Sequence, residues 1–315
     1  MNYVLLSGGS GKRLWPLSNA VRSKQFIKII KKEDGGYESM LQRTYNQIRM
    51  MDQDAKITIA TAKPQVSLIR NQLGNDVNIS IEPCRRDTFP AIVLAVTYLH
   101  HVKGVSGDET ILVCPIDSYV ELDYFLALKE LKKHIEKGEN NLMIMGIVPT
   151  YPSEKYGYII PETNGKVSKV RVFKEKPNKN IANQYIEQGA LWNSGVFAFK
   201  VKYILEKAHQ VIDFTDYADL YTKYKTLMKI SFDYAVLENE KNIQVMRFDG
   251  IWRDIGSWDT LTDIMEENCI GSMVIAQELL SVKLDAPVLC RLDAPELDFA
   301  CCASEDCLHQ HLQVI

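Results

Sequence analysis

The first 150 residues alternate short apolar runs with longer stretches in which apolar side chains recur every three or four positions. Residues 3–6, 56–60, 77–81, 110–114 and 142–148 read as strands. Between them, 38–50 places Leu41, Tyr45 and Ile48 on one helical face, 64–73 carries a proline in its first turn, and 89–100 and 121–137 read as helices. Near-continuous apolar strands alternating with helices predict a parallel sheet covered on both faces, with ligands beyond the carboxyl ends of its strands. After Val148 the pattern changes. Residues 157–160 and 167–173 flank Thr163-Asn164-Gly165, whose Asn-Gly pair signals a hairpin, and further strands follow at 195–199 and 243–248. The expected fold is α/β: a Rossmann-like, mixed but mainly parallel sheet with helices on both faces. Residues 1–150 would form one half of a domain over 1–268 and residues 151–268 the second wall of a cleft. From Cys269 the composition shifts, and a small C-terminal β unit is expected over 269–315. No repeat or low-complexity tract is visible.

Composition narrows the function classes. Of 315 residues, 46% are hydrophobic and 24% charged, an ordinary globular balance that excludes a disordered chain or a coiled-coil rod. Lys and Arg number 37 against 40 Asp and Glu, a net charge of −3, which removes any general electrostatic case for nucleic acid or an anionic membrane. No apolar run approaches the roughly 18–20 residues of a membrane span. The start runs straight into a strand-like segment without a charged n-region and cleavage site, so no signal peptide is expected. Seven cysteines, five of them in the last 47 residues, fit reduced thiols better than a disulfide framework. The expectation is a soluble, cytoplasmic protein.

The first apolar strand runs into Ser7-Gly8-Gly9-Ser10-Gly11-Lys12-Arg13. Three glycines let backbone N–H groups turn inward around an anion, and Lys12 and Arg13 add charge. The G-x-G-x-x-G fingerprint fails because no third glycine follows, and G-x-x-x-x-G-K-[ST] cannot be drawn here. A plain tight turn would use the same glycines. The run Arg22-Ser23-Lys24-Gln25 brings further cations within reach of the same anion, although Lys24 alone would read as a solvated lysine.

With the residues that follow, the loop resembles a known family. Gly8-Gly9-Ser10-Gly11-Lys12-Arg13-Leu14-Trp15-Pro16-Leu17-Ser18, followed by Lys24-Gln25-Phe26, looks like the signature of sugar-phosphate nucleotidyltransferases. Its Leu-Trp-Pro-Leu-Ser ending is most similar to the mannose-1-phosphate guanylyltransferases among them. Six ordered blocks extend the resemblance over roughly residues 1–265. It implies GTP and a sugar 1-phosphate, mannose 1-phosphate in the first instance, as substrates and Mg²⁺ as cofactor. The reaction would be in-line attack of the anomeric phosphate on the α-phosphorus, with loss of pyrophosphate. Ser7 to Arg13 would hold the nucleotide, and Arg13 and Lys24 would act in catalysis.

The remaining blocks carry the rest. Glu82, Arg86, Asp87 and Thr88 match a block that lines the base pocket. A carboxylate there can accept both N1–H and the exocyclic amine of guanine. Asp87 and Phe89 depart from the commonest family letters, and Asp87 or Thr88 would equally suit a helix cap. The resemblance assigns Asp117 and Asp254 to Mg²⁺, which needs few protein carboxylates when substrate phosphates complete its octahedron. Singly, each would read as a turn or cap residue. Ser118 stands where many relatives have histidine. Gly157, Tyr158, Glu175, Lys176 and Asn193 resemble the sugar-phosphate side, with Asp233 either touching the sugar or serving structure.

Other chemistries fit less well. There is no G-x-S-x-G elbow and no H-E-x-x-H helix, and the spacing of Cys301, Cys302, Cys307, His309 and His311 matches no common zinc pattern. Two alternatives stand beside the main reading: the same reaction with another nucleotide or sugar phosphate, and a catalytically silent nucleotide-binding regulator. Some longer relatives carry a cupin-like isomerase domain, and with 315 residues here isomerase activity is not expected. A homodimer is left open.

Overall fold

A computed structural model describes residues 1–9, 14, 18–19, 22–32, 35–138, 140–256 and 258–267. Ser10, Gly11, Lys12 and Arg13, and the β unit expected over 269–315, lie outside the described residues. The first strands are β1 (Asn2–Leu6), β2 (Lys28–Lys31), β3 (Tyr37–Ser39), β4 (Lys56–Ala62), β5 (Asn78–Glu82), β6 (Thr110–Pro115) and β7 (Ser118–Val120). They are followed by β8 (Leu142–Ile147), β9 (Tyr158–Pro161), β10 (Val167–Lys174), β11 (Leu191–Lys200), β12 (Ile243–Phe248) and β13 (Trp252–Asp254). The helices are α1 (Met40–Met51), α2 (Val66–Leu73), α3 (Thr88–His101), α4 (Leu122–Glu136), α5 (Lys179–Glu187), α6 (Val201–His209), α7 (Tyr217–Lys223) and α8 (Trp258–Glu267). None of the described helices is long and apolar enough to cross a membrane.

The chain divides into two units. The first comprises Met1–Gly8, Tyr45–Pro115 and Val120–Trp252; the second comprises Gly9–Thr44, Ile116–Tyr119 and the residues from Arg253 onward.

The first unit is built on a nine-stranded sheet in the order β5-β4-β1-β6-β11-β8-β12-β10-β9. β1 pairs in parallel with β4 and β6, and β4 with β5. The chain therefore steps outward from β1 through β4 to β5 and then returns to the other flank of β1 as β6. Such a reversal of strand order opens a crevice at the carboxyl ends, where α/β sheets bind ligands. Leu6 and Pro115, the last residues of β1 and β6, stand opposite each other in register.

Beyond β6 the sheet is mixed. β11 runs antiparallel to β6 and β8, β8 is parallel to β12, and β10 is antiparallel to β12 and β9. β11 bends between Asn193 and Phe197, where its register shifts and Gly195 takes φ +75°. Its far end, Leu191 and Trp192, pairs with β9, so β11, β8, β12, β10 and β9 close into a ring. Parallel pairing thus belongs mainly to β5-β4-β1-β6. The expected β9–β10 hairpin forms, but the connection runs over 162–166 without positive φ at Gly165, so no two-residue Asn-Gly turn closes it.

Helix α3 shows why the core sits where it does. Ten of its residues are buried, and Ile92 to Val96 are shielded completely, because β1, β4 and β5 contact the helix on one side and α6 and α7 on another. Ile92, Val93, Leu94 and Val96 each contribute about 1.5–3 kcal/mol. In the second unit, β2 pairs antiparallel with β3 and β7 pairs with β13. Leu14, Ile27, Ile30, Tyr119, Ile255 and Leu261 gather into its own apolar cluster.

Gly146 lies in β8 between β11 and β12, opposite Asn193 and Arg247. A Cβ there would lie 2.8 Å from Leu191 Cβ, which cannot retreat without moving its strand, and 2.8 Å from Val245 Cγ2. Gly146→Ala is expected to destabilise the fold by about 1–3 kcal/mol. Urea unfolding measures this, and an unchanged midpoint would show that the strands can part freely.

Candidate functional site

Three polar clusters carry the residues singled out in sequence. The first lies in the second unit. Lys24 opens a single 3₁₀ turn, Lys24–Phe26, whose Gln25 and Phe26 are buried and hold the turn in place. Its Nζ lies 3.0 Å from Asp117 Oδ2 and 3.0 Å from Asp254 Oδ1. The two aspartate oxygens, 137 positions apart in sequence, therefore stand no more than about 6 Å from each other. Burial works against the lysine charge, but the two carboxylates outweigh it and hold the Lys24 pKa above its ordinary value. Asp117 and Asp254 are brought together by the backbone as well: Ile255 N–H donates to the Asp117 carbonyl at 3.2 Å. Gly256 leaves room for the second carboxylate, since a Cβ there would fall 2.8 Å from Asp254 Oδ2.

The second cluster lies in the first unit at the end of β5. Glu82 is 6% exposed, and Tyr224, fully buried, donates its hydroxyl to Glu82 Oε2 at 2.8 Å. Desolvation raises the Glu82 pKa above the usual range, opposed by the Tyr224 hydrogen bond, the Arg85 charge and the Arg86 backbone N–H. Asp87 then adopts φ 70°, ψ −175°, a region that is nearly reserved for glycine and costs about 1–3 kcal/mol. Its carboxylate accepts from Thr88 N–H at 2.8 Å, so Asp87 is the cap of α3. Thr88 Oγ1 accepts from Phe232 N–H at 2.8 Å, and the Arg86 guanidinium donates to the Lys225 carbonyl. Tyr224, Lys225 and Phe232 had carried no nucleotide-pocket expectation. Tyr224 stands 142 positions from Glu82, and nothing local in the sequence marks it.

The third cluster, also in the first unit, surrounds Glu175. Lys176 takes φ 44° and sets its Nζ 2.5 Å from Glu175 Oε1. Gly157 is required by closeness: a Cβ would lie 2.6 Å from Glu175 Oε2 and 3.3 Å from Asn193 Cβ. Asn193 is fixed at three points. Its N–H donates to the Gly157 carbonyl at 2.8 Å, its Oδ1 accepts from Gly195 N–H at 3.1 Å, and its Nδ2 donates to Asp233 Oδ1 at 2.7 Å. Asp233 lies on a π-helical turn, Asp233–Leu237, of a kind common at functional sites. Burial, with the neighbouring Glu175 charge, raises its pKa to about 6. Tyr158 is fully buried and donates its hydroxyl to the Ser153 carbonyl at 3.0 Å, which commits its side chain to packing.

The structure thus brings together Lys24 with Asp117 and Asp254, Glu82 with the Arg86–Thr88 block, and Gly157 with Glu175, Lys176, Asn193 and Asp233. Ser7 and Gly8 follow β1, Ser7 buried and its N–H donating to the Ala60 carbonyl at 2.9 Å. A model of the nucleotidyl transferase family matches residues 2–269. The chain belongs to that family.

Relatives of this nucleotidyl transferase agree over most of its length. It is 32% identical over 305 residues to the mannose-1-phosphate guanylyltransferase of Escherichia coli, covering 86% of this chain and 63% of that protein. It is 32% identical over 293 residues to the xanthan biosynthesis protein XanB of Xanthomonas campestris, covering 85% and 60%. The chain therefore spans a little under two thirds of these curated relatives. Among solved structures it resembles a mannose-1-phosphate geranyltransferase from Thermus thermophilus, with TM-score 0.70, 28% identity, and 84% and 78% of the two chains covered.

The third cluster sets two expectations. Between about pH 4 and pH 6 folded Asp233 keeps a proton that the unfolded chain releases, so this residue's contribution to stability falls as pH rises through that window. Asp233→Asn should therefore melt higher than the wild type above about pH 6, by of order 2 kcal/mol, with the gap closing toward pH 4. Melting curves across that range test it, and a gap independent of pH would sink it. Gly157→Ala should displace Glu175 and loosen the fixing of Asn193, lowering stability by about 1–3 kcal/mol in urea unfolding, and an unchanged midpoint would show that Glu175 can move aside freely.

Proposed function

We propose that the chain transfers GMP from GTP to α-D-mannose 1-phosphate, giving GDP-mannose and pyrophosphate. An oxygen of the anomeric phosphate forms a bond to the α-phosphorus while the bond from that phosphorus to the bridging oxygen breaks, and pyrophosphate leaves with the electron pair. The nucleophile is already an anion, so neither a covalent enzyme intermediate nor a general base is needed. The observation that carries the reading is the pair of aspartate oxygens, each 3.0 Å from one ammonium. The names of the Escherichia coli and Thermus relatives support the sugar phosphate.

The donor set suits a hard divalent cation: two carboxylates already converge on a shared positive charge, leaving the remaining positions to phosphate oxygens. Asp117 and Asp254 would hold Mg²⁺, which when bound would draw negative charge from the triphosphate. Lys24, kept an ammonium by its neighbours, would add a further cation beside the departing pyrophosphate. Ser7, Gly8 and Gly9, with Ser10 to Arg13, would cradle the phosphates, and Glu82 would accept from the guanine edge. Lys176 would bind the sugar's phosphate, and Glu175 and Asn193 its hydroxyls. Positioning and charge stabilisation together would account for the rate. The reactants are water-soluble phosphates, in keeping with a cytoplasmic place of work.

Four nucleoside triphosphates assayed against several sugar 1-phosphates, read by pyrophosphate release, test the reading; GTP with mannose 1-phosphate should give the highest kcat/KM. Turnover should stop with EDTA and return with Mg²⁺. Asp117→Asn and Asp254→Asn should each lose roughly 10²–10³-fold in kcat with little change in melting temperature. An active double variant that still depends on Mg²⁺ would overturn the metal assignment, and preference for another pair of substrates would move the chain elsewhere in its family.

A further inference from the structure

We infer that Tyr224 is a specificity-determining positioning residue: by donating its hydroxyl to Glu82 it keeps that side chain an anion, and thereby makes the base pocket accept guanine and reject adenine. This rests on the reading of Glu82 as the residue that meets the base. The hydrogen-bond code makes the protonation state decisive. A carboxylate offers two acceptors, which match the N1–H and exocyclic N–H of guanine. A carboxylic acid offers one donor and one acceptor, which match N1 and the N6 amine of adenine. One proton on one side chain therefore exchanges the preferred purine.

Burial drives Glu82 toward the acid form. Three groups besides Tyr224 act on it through charge or hydrogen bonds: the Arg85 charge and the Arg86 backbone N–H favour the anion, and the Asp87 charge opposes it, while Cys84, from the same block, acts on Tyr224. Among those favouring the anion, the Tyr224 hydrogen bond weighs most. Tyr224 is a donor at every working pH, since burial and the Glu82 charge hold its phenol far above neutrality. Its placement is rigid. Tyr224 opens the 3₁₀ turn Tyr224–Thr226 directly after α7, and the strip beyond it is laced to the Glu82 block. The lacing consists of the Arg86 guanidinium on the Lys225 carbonyl, Ile230 N–H on the Arg86 carbonyl at 3.3 Å, and Phe232 N–H on Thr88 Oγ1 at 2.8 Å.

The test is calorimetric binding of GTP and ATP to the full chain from about pH 8 down to about pH 4.5, the ordinary carboxyl value above which Glu82 is raised, and it needs no turnover. Wild type should prefer GTP at the upper end and lose that preference as pH falls and Glu82 gains its proton. Tyr224→Phe should lose it at higher pH, the midpoint of the change lying about one pH unit or more above that of wild type. Glu82→Gln, which cannot ionise, should show a ratio that does not change with pH. A Tyr224→Phe ratio equal to wild type at every pH overturns the inference alone. A wild-type ratio flat over the whole range also overturns it, whether or not the variant folds. Glu82→Gln with the full wild-type preference shows instead that Glu82 does not meet the base, and removes the underlying reading.

Discussion

Two carboxylate oxygens within about 6 Å of each other repel by roughly 2–3 kcal/mol at an effective dielectric near 20, less where water screens them. Asp117 and Asp254 tolerate this because Lys24 Nζ sits 3.0 Å from both. The segments that supply the acids are tied by the Ile255 N–H on the Asp117 carbonyl, and the lysine by a turn whose next two residues are buried. The arrangement is a site for positive charge made from separate stretches of chain. A triphosphate brought to a bare acid pair would be repelled, so the proposed chemistry requires positive charge in excess of the two aspartates. Lys24 supplies one unit, and the proposed divalent metal would supply two more.

Backbone strain and close approach concentrate where sequence reasoning placed ligands. The two described non-glycine residues with positive φ are Asp87 and Lys176, one beside the proposed base pocket and one in the proposed sugar-phosphate cluster. Gly157 and Gly256 each yield to a carboxylate that would otherwise collide with a Cβ. Such positions cost stability and persist only where the surroundings over-determine them. At Asp87 the surroundings are the α3 cap and the buried helix behind it. At Lys176 they are the Glu175 ion pair and the three-point fixing of Asn193.

Legibility in the sequence followed the length and burial of each element. The runs at 111–114 and 142–148 are apolar throughout because β6 and β8 are interior strands, and α3 read as a helix because it is long and mostly apolar. β2, β3, β7 and β13, of three or four residues each, carry too few positions for any periodicity to register. The last residues of β3 were read as helix, since Tyr37–Ser39 runs directly into α1. β11 was read from 195 onward, because the bend at Gly195 interrupts the alternation and hides the part that pairs with β9. Of the candidate site, the motif residues could be picked out one block at a time. Their mutual contacts could not, because Asp117 with Asp254, and Asn193 with Asp233, meet only through tertiary structure.

Tyr224 marks the limit of that approach most clearly. A motif records which side chains face a ligand, whereas the groups that fix those side chains' ionisation are chosen by space. In the clusters around Lys24, Glu82 and Glu175, the functional carboxylates have partners that come from a different element or sit in strained backbone: an ammonium for the aspartates, a phenol for Glu82, and an ammonium with an amide for Glu175 and Asp233. Asp233, buried and beside the Glu175 charge, is driven up to about 6 although Asn193 donates to it. Where the ammonium dominates, as at Lys24, the positive charge is the one stabilised. For Glu82 and Asp233 burial pushes toward the acid, and the hydrogen bonds from Tyr224 and Asn193 pull back toward the anion, the form that a divalent cation or a guanine edge requires.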